Sequence, residues 1–173
     1  DIHKMYSFAR LHRTIPLYGG FVAESILRYQ SFAGEAKVKI CRVEVPEPRF
    51  TYLRNYLERL WSEREEYIYN TPAALASLVH LRPAISKAYT CVTFVQEVLV
   101  RFRLAGARES DSPTVRALER RLAPCVIYEG PVPAVSGEWG EDAYPAETTT
   151  RYAFYTTARH FGRLALRVLG GIA

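Results

Sequence analysis

The stretch 86–102, SKAYTCVTFVQEVLVRF, decides how this chain is interpreted. A polar run is followed by apolar side chains at helical spacing, which predicts an amphipathic helix that begins at Cys91. The first N–H groups of a helix have no intrahelical acceptor, and the helix dipole places partial positive charge there. A thiolate is stabilised at such a position, so Cys91 is a candidate nucleophile. The predicted apolar face comprises Cys91, Phe94, Val95, Val98, Leu99 and Phe102.

Position alone also allows a different interpretation of Cys91. Free cysteine is among the most buried residue types, so a small buried cysteine on the core side of the helix is the simpler alternative. The other two cysteines, Cys41 and Cys125, stand in strand-like apolar segments and are interpreted as core residues. An odd number of widely spaced cysteines argues against a disulfide framework and against a paired-cysteine zinc site.

Composition bounds the class of protein. The 173 residues are 49% hydrophobic, enough for the core of one domain. No stretch has the roughly 18 apolar residues of a membrane span, and no signal-peptide pattern opens the chain, so a cytoplasmic location is predicted. The net charge is +5, but the cations are scattered among acids, which disfavours nucleic-acid binding. No cofactor is predicted, and no metal, because no ligand cluster is visible.

Patterning along the chain predicts mixed helices and strands. Strands are expected over 2–8, 38–45 and 125–128, with a bulge near Cys41 and Arg42. Helices are expected over 50–66, from an N-cap at Thr71 with Pro72 as first helical residue to about 80, over 91–105, over 113–122 and over 151–169. Proline, glycine and acids without periodicity mark 136–150 as a linker or loop. The predicted organisation is a domain at 1–135, the linker and a C-terminal helix at 151–173.

Five segments in order resemble motifs of one family: MYSFAR (5–10), GGFVAE (19–24), YIYN (67–70), YTCVTFV (89–95) and IYEG (127–130). Together they resemble an uncharacterised bacterial family of the NlpC-type papain-like cysteine hydrolase superfamily, in its circularly permuted branch. The resemblance implies an α+β papain-like fold, in which a central antiparallel sheet packs against the Cys91 helix and the 50–66 helix. It also implies that Cys91 is the nucleophile. The chain departs from the family pattern at Ala9, at Thr93 and after residue 136.

The same resemblance places the histidine base on a strand upstream of MYSFAR, which precedes the first residue of this sequence. Two functions follow as expectations. The first is a thiol-dependent hydrolase or acyltransferase that acts on a peptide-like amide or an ester through a Cys91 acyl-enzyme. The second is an inactive papain-like binding module. The four histidines are the alternative bases, and Ser7 and Glu24 are further polar candidates, with Glu24 equally interpretable as an exposed acid at a helix start. The histidines are His3, His12, His80 and His160.

The C-terminal helix is the last candidate for function. Arg159, Arg163 and Arg167 recur every four residues beside an apolar set. A basic amphipathic helix can lie on an anionic membrane or dock in the groove of a protein partner. It can equally cover the core of its own domain. The apolar set comprises Phe154, Ala158, Phe161, Ala165, Val168 and Ile172.

Overall fold

The computed structural model describes residues 5–10, 18–24, 37–76, 85–133 and 150–170. Within them the chain is α+β, with six strands, five α-helices and two short 3-10 segments at Arg64–Glu66 and Ala123–Cys125. The strands are β1 (Met5–Arg10), β2 (Gly19–Glu24), β3 (Lys37–Cys41), β4 (Ile68–Tyr69), β5 (Ala88–Tyr89) and β6 (Val126–Pro131). The helices are α1 (Glu47–Ser62), α2 (Thr71–Ala76), α3 (Cys91–Arg101), α4 (Val115–Leu122) and α5 (Thr150–Gly170).

The chain divides into two compact units that cut across the predicted domain at 1–135. The ribbon unit comprises Asp1–Tyr6, Ala23–Glu58 and Val92–Ala143, and the sheet unit comprises Ser7–Val22, Arg59–Cys91 and Tyr144–Ala173. The predicted linker lies almost wholly outside the described residues. Among the described residues, the C-terminal helix belongs to the sheet unit.

In the ribbon unit, β3 and β6 form a two-stranded antiparallel ribbon. Its register shifts between Ile40 and Cys41, which confirms the predicted bulge. The strand ends at Cys41, four residues earlier than the sequence pattern predicted. The core of this unit is helical: Leu99, Phe102 and Leu104 pack with apolar residues of α1 and α4. The Cys91 helix and the 50–66 helix therefore pack against each other in a helical core. From the sequence, both were predicted to pack against a central sheet.

The sheet unit holds a four-stranded sheet in the order β1-β2-β4-β5. β2 and β4 are antiparallel with Gly20 opposite Ile68, whereas β4 and β5 are parallel, which corrects the prediction of a wholly antiparallel sheet. The physical reason is the connection: about 18 residues separate β4 from β5, enough for a crossover, and its first part is α2.

The two faces of this sheet bury different residues. On one face Phe8 packs its ring 5.3 Å from that of Phe21 and 5.2 Å from that of Tyr89. On the other face Ile68 and Ala88 pack against Leu164 of α5. Side chains alternate along a strand, so Asn70 and Thr90 belong to the α5 face, as do Ile68 and Ala88. No helix among the described residues is long and apolar enough to cross a bilayer.

Candidate functional site

The candidate site lies where the parallel strands β4 and β5 end. Tyr69 is in register with Tyr89, and each strand is followed by one buried polar residue and then a helix. The backbone N–H of Asn70 donates to the carbonyl oxygen of Tyr89 at 2.8 Å, so the pairing continues to the last residue before α2. The helices α2 and α3 therefore begin side by side at one edge of the sheet. At this end of the sheet lie the first N–H groups of both helices, which have no acceptor within their own helix.

Asn70 is the N-cap of α2. Its side-chain Oδ1 accepts a hydrogen bond from the backbone N–H of Ala73 at 3.0 Å, and its carbonyl oxygen accepts one from Ala74 at 3.0 Å. The predicted cap, Thr71, is instead the first helical residue, and Pro72 is the second. The prediction was wrong by one residue because Asn is at least as good a cap as Thr and its side chain reaches the third N–H of the helix.

Because Asn70 caps the helix, the side-chain hydroxyl of Thr71 does not, and its oxygen has no hydrogen-bond partner. The residue is 7% exposed, and its Oγ1 makes no hydrogen bond. A buried hydroxyl in this state costs free energy unless a water or a ligand completes it. Oγ1 of Thr71 is therefore a buried polar atom at this end of the strands that can still form a hydrogen bond.

Cys91 is the first residue of α3, and its side chain is exposed. The interpretation of Cys91 as a buried core cysteine is therefore wrong, although Phe94, Leu99 and Phe102 on the same predicted face are buried. Because Thr90 before it is buried, the chain enters the helix from the sheet and presents Cys91 at the surface. The thiol thus lies at the first turn of an eleven-residue helix, where the helix dipole places partial positive charge.

The other two cysteines have different surroundings. Cys41 and Cys125 are free and half-buried, so neither is a fully enclosed core residue. Burial, followed by the nearby Cys125, raises the pKa of the Cys41 thiol above its ordinary value. Cys125 closes a 3-10 turn ahead of β6, although the sequence pattern placed it in the strand.

Helix α5 crosses the α5 face in the direction opposite to β4 and β5. The guanidinium of Arg167 donates to the carbonyl oxygen of Glu66 at 3.0 Å and to that of Lys87 at 3.3 Å, both just before the strands. Leu164, nearly one helical turn earlier in α5, packs against Ile68 and Ala88 within the strands. The preceding turns of α5 therefore lie towards the strand ends.

A ring contact fixes where His160 lies along the sheet. The imidazole of His160 stacks on the ring of Tyr18, with centroids 6.3 Å apart. Because Gly20 is opposite Ile68 in an antiparallel pair, Tyr18 falls opposite Asn70. The four residues from Leu164 back to His160 span about 6 Å of helix, close to two residues of strand, which gives the same level. His160 therefore lies at the strand ends, and Thr157 lies one turn further.

Two more unsatisfied polar atoms belong to this turn of α5. Thr157 is buried and its Oγ1 has no hydrogen-bond partner, and Nδ1 of His160 has none either. With Thr71, these are all the buried side-chain polar atoms without a partner among the described residues. The strand pairing and the direction of α5 assign all three to the same end of the sheet.

His160 is held neutral. Burial, then the positive charges of Arg163, Arg159 and Arg167, lower the pKa of its imidazole from 6.5 to about 4. A neutral imidazole donates one hydrogen bond and accepts another, but here it resists becoming the imidazolium that a cysteine thiolate pairs with. His160 therefore suits recognition of an uncharged polar group better than proton uptake from Cys91. The other three histidines, His3, His12 and His80, lie outside the described residues.

The remaining candidates are placed individually. Glu24 ends β2 and is buried, so its interpretation as an exposed acid at a helix start is wrong. Ser7 is half-buried in β1. Sequence reasoning missed Asn70, Thr71 and Thr157; the available signal was the Asn-Thr-Pro run, in which two residues compete for the cap. In the part of the chain that the structure describes, no three His, Cys, Asp or Glu side chains are grouped to hold a metal ion.

Comparison with protein-family models, with curated proteins and with solved structures finds no match to this chain.

Proposed function

We propose that this chain carries out thiol-dependent acyl chemistry on an amide or ester through Cys91, within an α+β fold of papain-like type. The observation that carries the proposal is an exposed thiol on the first residue of an eleven-residue helix. The buried polar residues at the end of the adjacent strands give a second line of support, because an acyl substrate needs hydrogen-bonding groups beside the nucleophile.

In the proposed reaction, Sγ of Cys91 attacks the carbonyl carbon and a C–S bond forms. The oxygen of the carbonyl becomes an oxyanion, which the partial positive charge at the N-terminus of α3 is suited to stabilise. The C–N or C–O bond then breaks, and the departing amine or alcohol takes the proton that the thiol gave up. Water or another acceptor attacks the thioester, the C–S bond breaks, and the thiol regains a proton.

The general base is not assigned to His160. Burial, followed by the charges of Arg163 and Arg159, opposes an imidazolium there, whereas a base in this chemistry must become positively charged. The resemblance to the permuted hydrolases implies a histidine on a strand upstream of β1. In this proposal the neutral His160 holds the uncharged part of the substrate.

The test is site-resolved alkylation of the full chain by iodoacetamide across pH, with mass spectrometry to separate the three cysteines. Cys41 and Cys125 serve as references in the same sample, and the chain in denaturant gives the unperturbed behaviour of Cys91. Exposure alone raises the alkylation rate at every pH without moving its midpoint. A thiolate that the helix N-terminus stabilises reacts faster in the folded chain than in denaturant, and that is the result we expect for Cys91. A pH profile equal to that in denaturant overturns the nucleophile assignment.

A binding module without chemistry is the second candidate, and the three unpartnered polar atoms of Thr71, Thr157 and His160 favour it. Such a site binds an uncharged hydrogen-bonding group whether or not a bond is then broken. Incubation with p-nitrophenyl acetate separates the two functions. Acetylation of Cys91 followed by its loss supports the enzyme, with Cys91→Ser as control. Absence of any adduct on Cys91 supports the binding module.

A further inference from the structure

The outward face of α5 is apolar along nearly its whole length. At 100° per residue, eight positions between residues 154 and 169 fall within an arc of about 140° around the helix axis. None of the eight side chains is charged, and the only polar group among them is the hydroxyl of the tyrosine. Phe154 is 71% exposed and Phe161 is 58% exposed, although aromatic residues of this size are normally buried. The eight positions, called here the outer face, are Phe154, Tyr155, Ala158, Phe161, Gly162, Ala165, Leu166 and Leu169.

The inward face of the same helix is mostly polar. It presents Thr157, His160, Leu164 and Arg167, of which only Leu164 is aliphatic. Arg163 donates to the carbonyl oxygen of Glu65 at 2.9 Å, and Arg167 donates to several carbonyls of the sheet unit. The amphipathic pattern of α5 is therefore inverted: Arg163 and Arg167 bind the helix to its own unit, and the apolar side faces away. Covering the core of this unit does not explain the outer face.

The charge of α5 indicates which kind of partner binds the outer face. Thr150–Gly170 contains four arginines and no acidic residue. The carbonyl oxygens that accept from Arg163 and Arg167 are neutral. The Glu66 carboxylate lies near both arginines but forms an ion pair with Lys87, so α5 keeps an excess of positive charge. A second copy of this chain would bring four more arginines against the same helix, which like-charge repulsion opposes. An anionic surface is the complementary one.

We infer that the outer face of α5 docks on an anionic phospholipid membrane, with the helix lying in the plane of the lipid headgroups. Phenylalanine, tyrosine and leucine side chains suit insertion at the level where headgroups meet acyl chains, and arginines at the margins suit attraction to anionic lipid. Arg159 is exposed at one edge of the outer face, and Arg151 is exposed at the start of the helix. The inference stands apart from the thiol chemistry, because no residue of the outer face belongs to the candidate site.

The experiment is co-sedimentation of the full chain with vesicles of phosphatidylcholine, with and without phosphatidylserine. We expect binding to the serine-lipid vesicles that weakens as salt is raised, because surface electrostatics are screened. The double substitution Phe154→Ser and Phe161→Ser should lower the affinity for the vesicles by about tenfold or more, because each ring buries apolar surface in the membrane. Arg159→Glu should weaken binding to the anionic vesicles alone.

A matched control uses equally exposed apolar residues outside α5. Val115 is 69% exposed and Ile127 is 55% exposed, both in the ribbon unit, so Val115→Ser with Ile127→Ser should leave vesicle binding unchanged. Unfolding curves confirm that each variant is folded. Failure of the wild type to sediment with anionic vesicles at low salt overturns the inference. So does a dimer in light scattering that the Phe154 and Phe161 substitutions dissociate, since the occupant would then be a second copy.

Discussion

Exposure separates the three cysteines of this chain more clearly than sequence context does. All three follow or precede apolar residues, yet Cys91 is exposed at a helix start while Cys41 and Cys125 are half-buried. The same contrast applies to the hydroxyls: Thr71 is buried without a partner, whereas Oγ1 of Thr114 caps α4 by accepting from Ala117 at 3.0 Å. Residue type alone does not assign these roles, because each depends on which backbone groups surround the side chain.

At the residue scale, His160 should make stability depend on pH. Its folded pKa is about 4 and its ordinary value is 6.5, so between these values the unfolded chain binds a proton that the folded chain does not. The free energy of unfolding should therefore fall as pH falls from about 6.5 towards 4. By pH of about 5 we expect a loss on the order of 1 kcal/mol, reduced for partial exposure of the ring.

The measurement is urea denaturation at a series of pH values, for wild type and His160→Gln. The substitution keeps a neutral hydrogen-bonding side chain and removes the titration, so the slope between pH of about 6.5 and 5 should flatten. This pH window lies above the range in which ordinary carboxylates titrate. The other histidines contribute equally to both proteins, so their titration cancels in the difference between the two slopes. Parallel curves would show that His160 is not held neutral by the fold.

Among the elements, the connection between α3 and α4 makes several hydrogen bonds to one side chain, Arg121. Arg121 of α4 donates to the carbonyl oxygens of Ala105 and Gly106 at 3.2 and 2.7 Å, and to the carboxylate of Asp111 at 2.6 Å. Gly106 has φ of 63° and Ala105 has φ of 47°, both in the left-handed region that favours glycine. The guanidinium therefore fastens a backbone conformation that a non-glycine residue rarely adopts.

The matched neighbours Arg120 and Arg121 test this role. Arg121→Ala should lower the free energy of unfolding by about 1 to 3 kcal/mol, because it removes a donor from two carbonyls and the charged partner of the Asp111 carboxylate. Arg121→Lys should recover only part of the loss, since an ammonium does not reproduce the planar fork of donors. Arg120→Ala, in the same turn and exposed, should stay within about 0.5 kcal/mol of wild type. Equal effects of the two alanine substitutions would contradict the assignment.

For the whole molecule, the orientation of α5 decides which part of the surface is apolar and which is basic. The chain carries a net charge of +5, and the helix contributes four arginines to it. Two leucines two residues apart report the orientation: Leu164 is 7% exposed, and Leu166 is 71% exposed. If the helix packed with its apolar side inward, their roles would be exchanged.

Alanine substitution of each leucine measures this directly. Leu164→Ala should destabilise the protein by about 2 to 5 kcal/mol, because it removes a side chain packed on Ile68 and Ala88. Leu166→Ala should change the free energy of unfolding by no more than about 0.5 kcal/mol. Chemical denaturation of both variants checks the pair. A large loss for Leu166→Ala with little effect of Leu164→Ala would reverse the assigned orientation and remove the basis for a lipid-facing outer surface.

The amino-acid sequence by itself determined the α+β class, the start of a helix at Cys91, the bulge in β3 and the C-terminal helix. Hydrophobic periodicity, proline and capping residues act over a few residues, so such features can be read locally. Only the tertiary structure decided that β4 and β5 pair in parallel, that Asn70 caps α2, and that α5 turns Arg163 and Arg167 towards the sheet unit. The strand pairing and the arginine contacts depend on partners far along the chain: the Tyr89 carbonyl for the backbone N–H of Asn70, and the carbonyls of Glu66 and Lys87 for Arg167. The cap is local, but the sequence offers Asn70 and Thr71 for it and the structure selects Asn70. Helical periodicity in a sequence shows that the two faces of a helix differ. Which face is buried depends on the surface against which the helix packs.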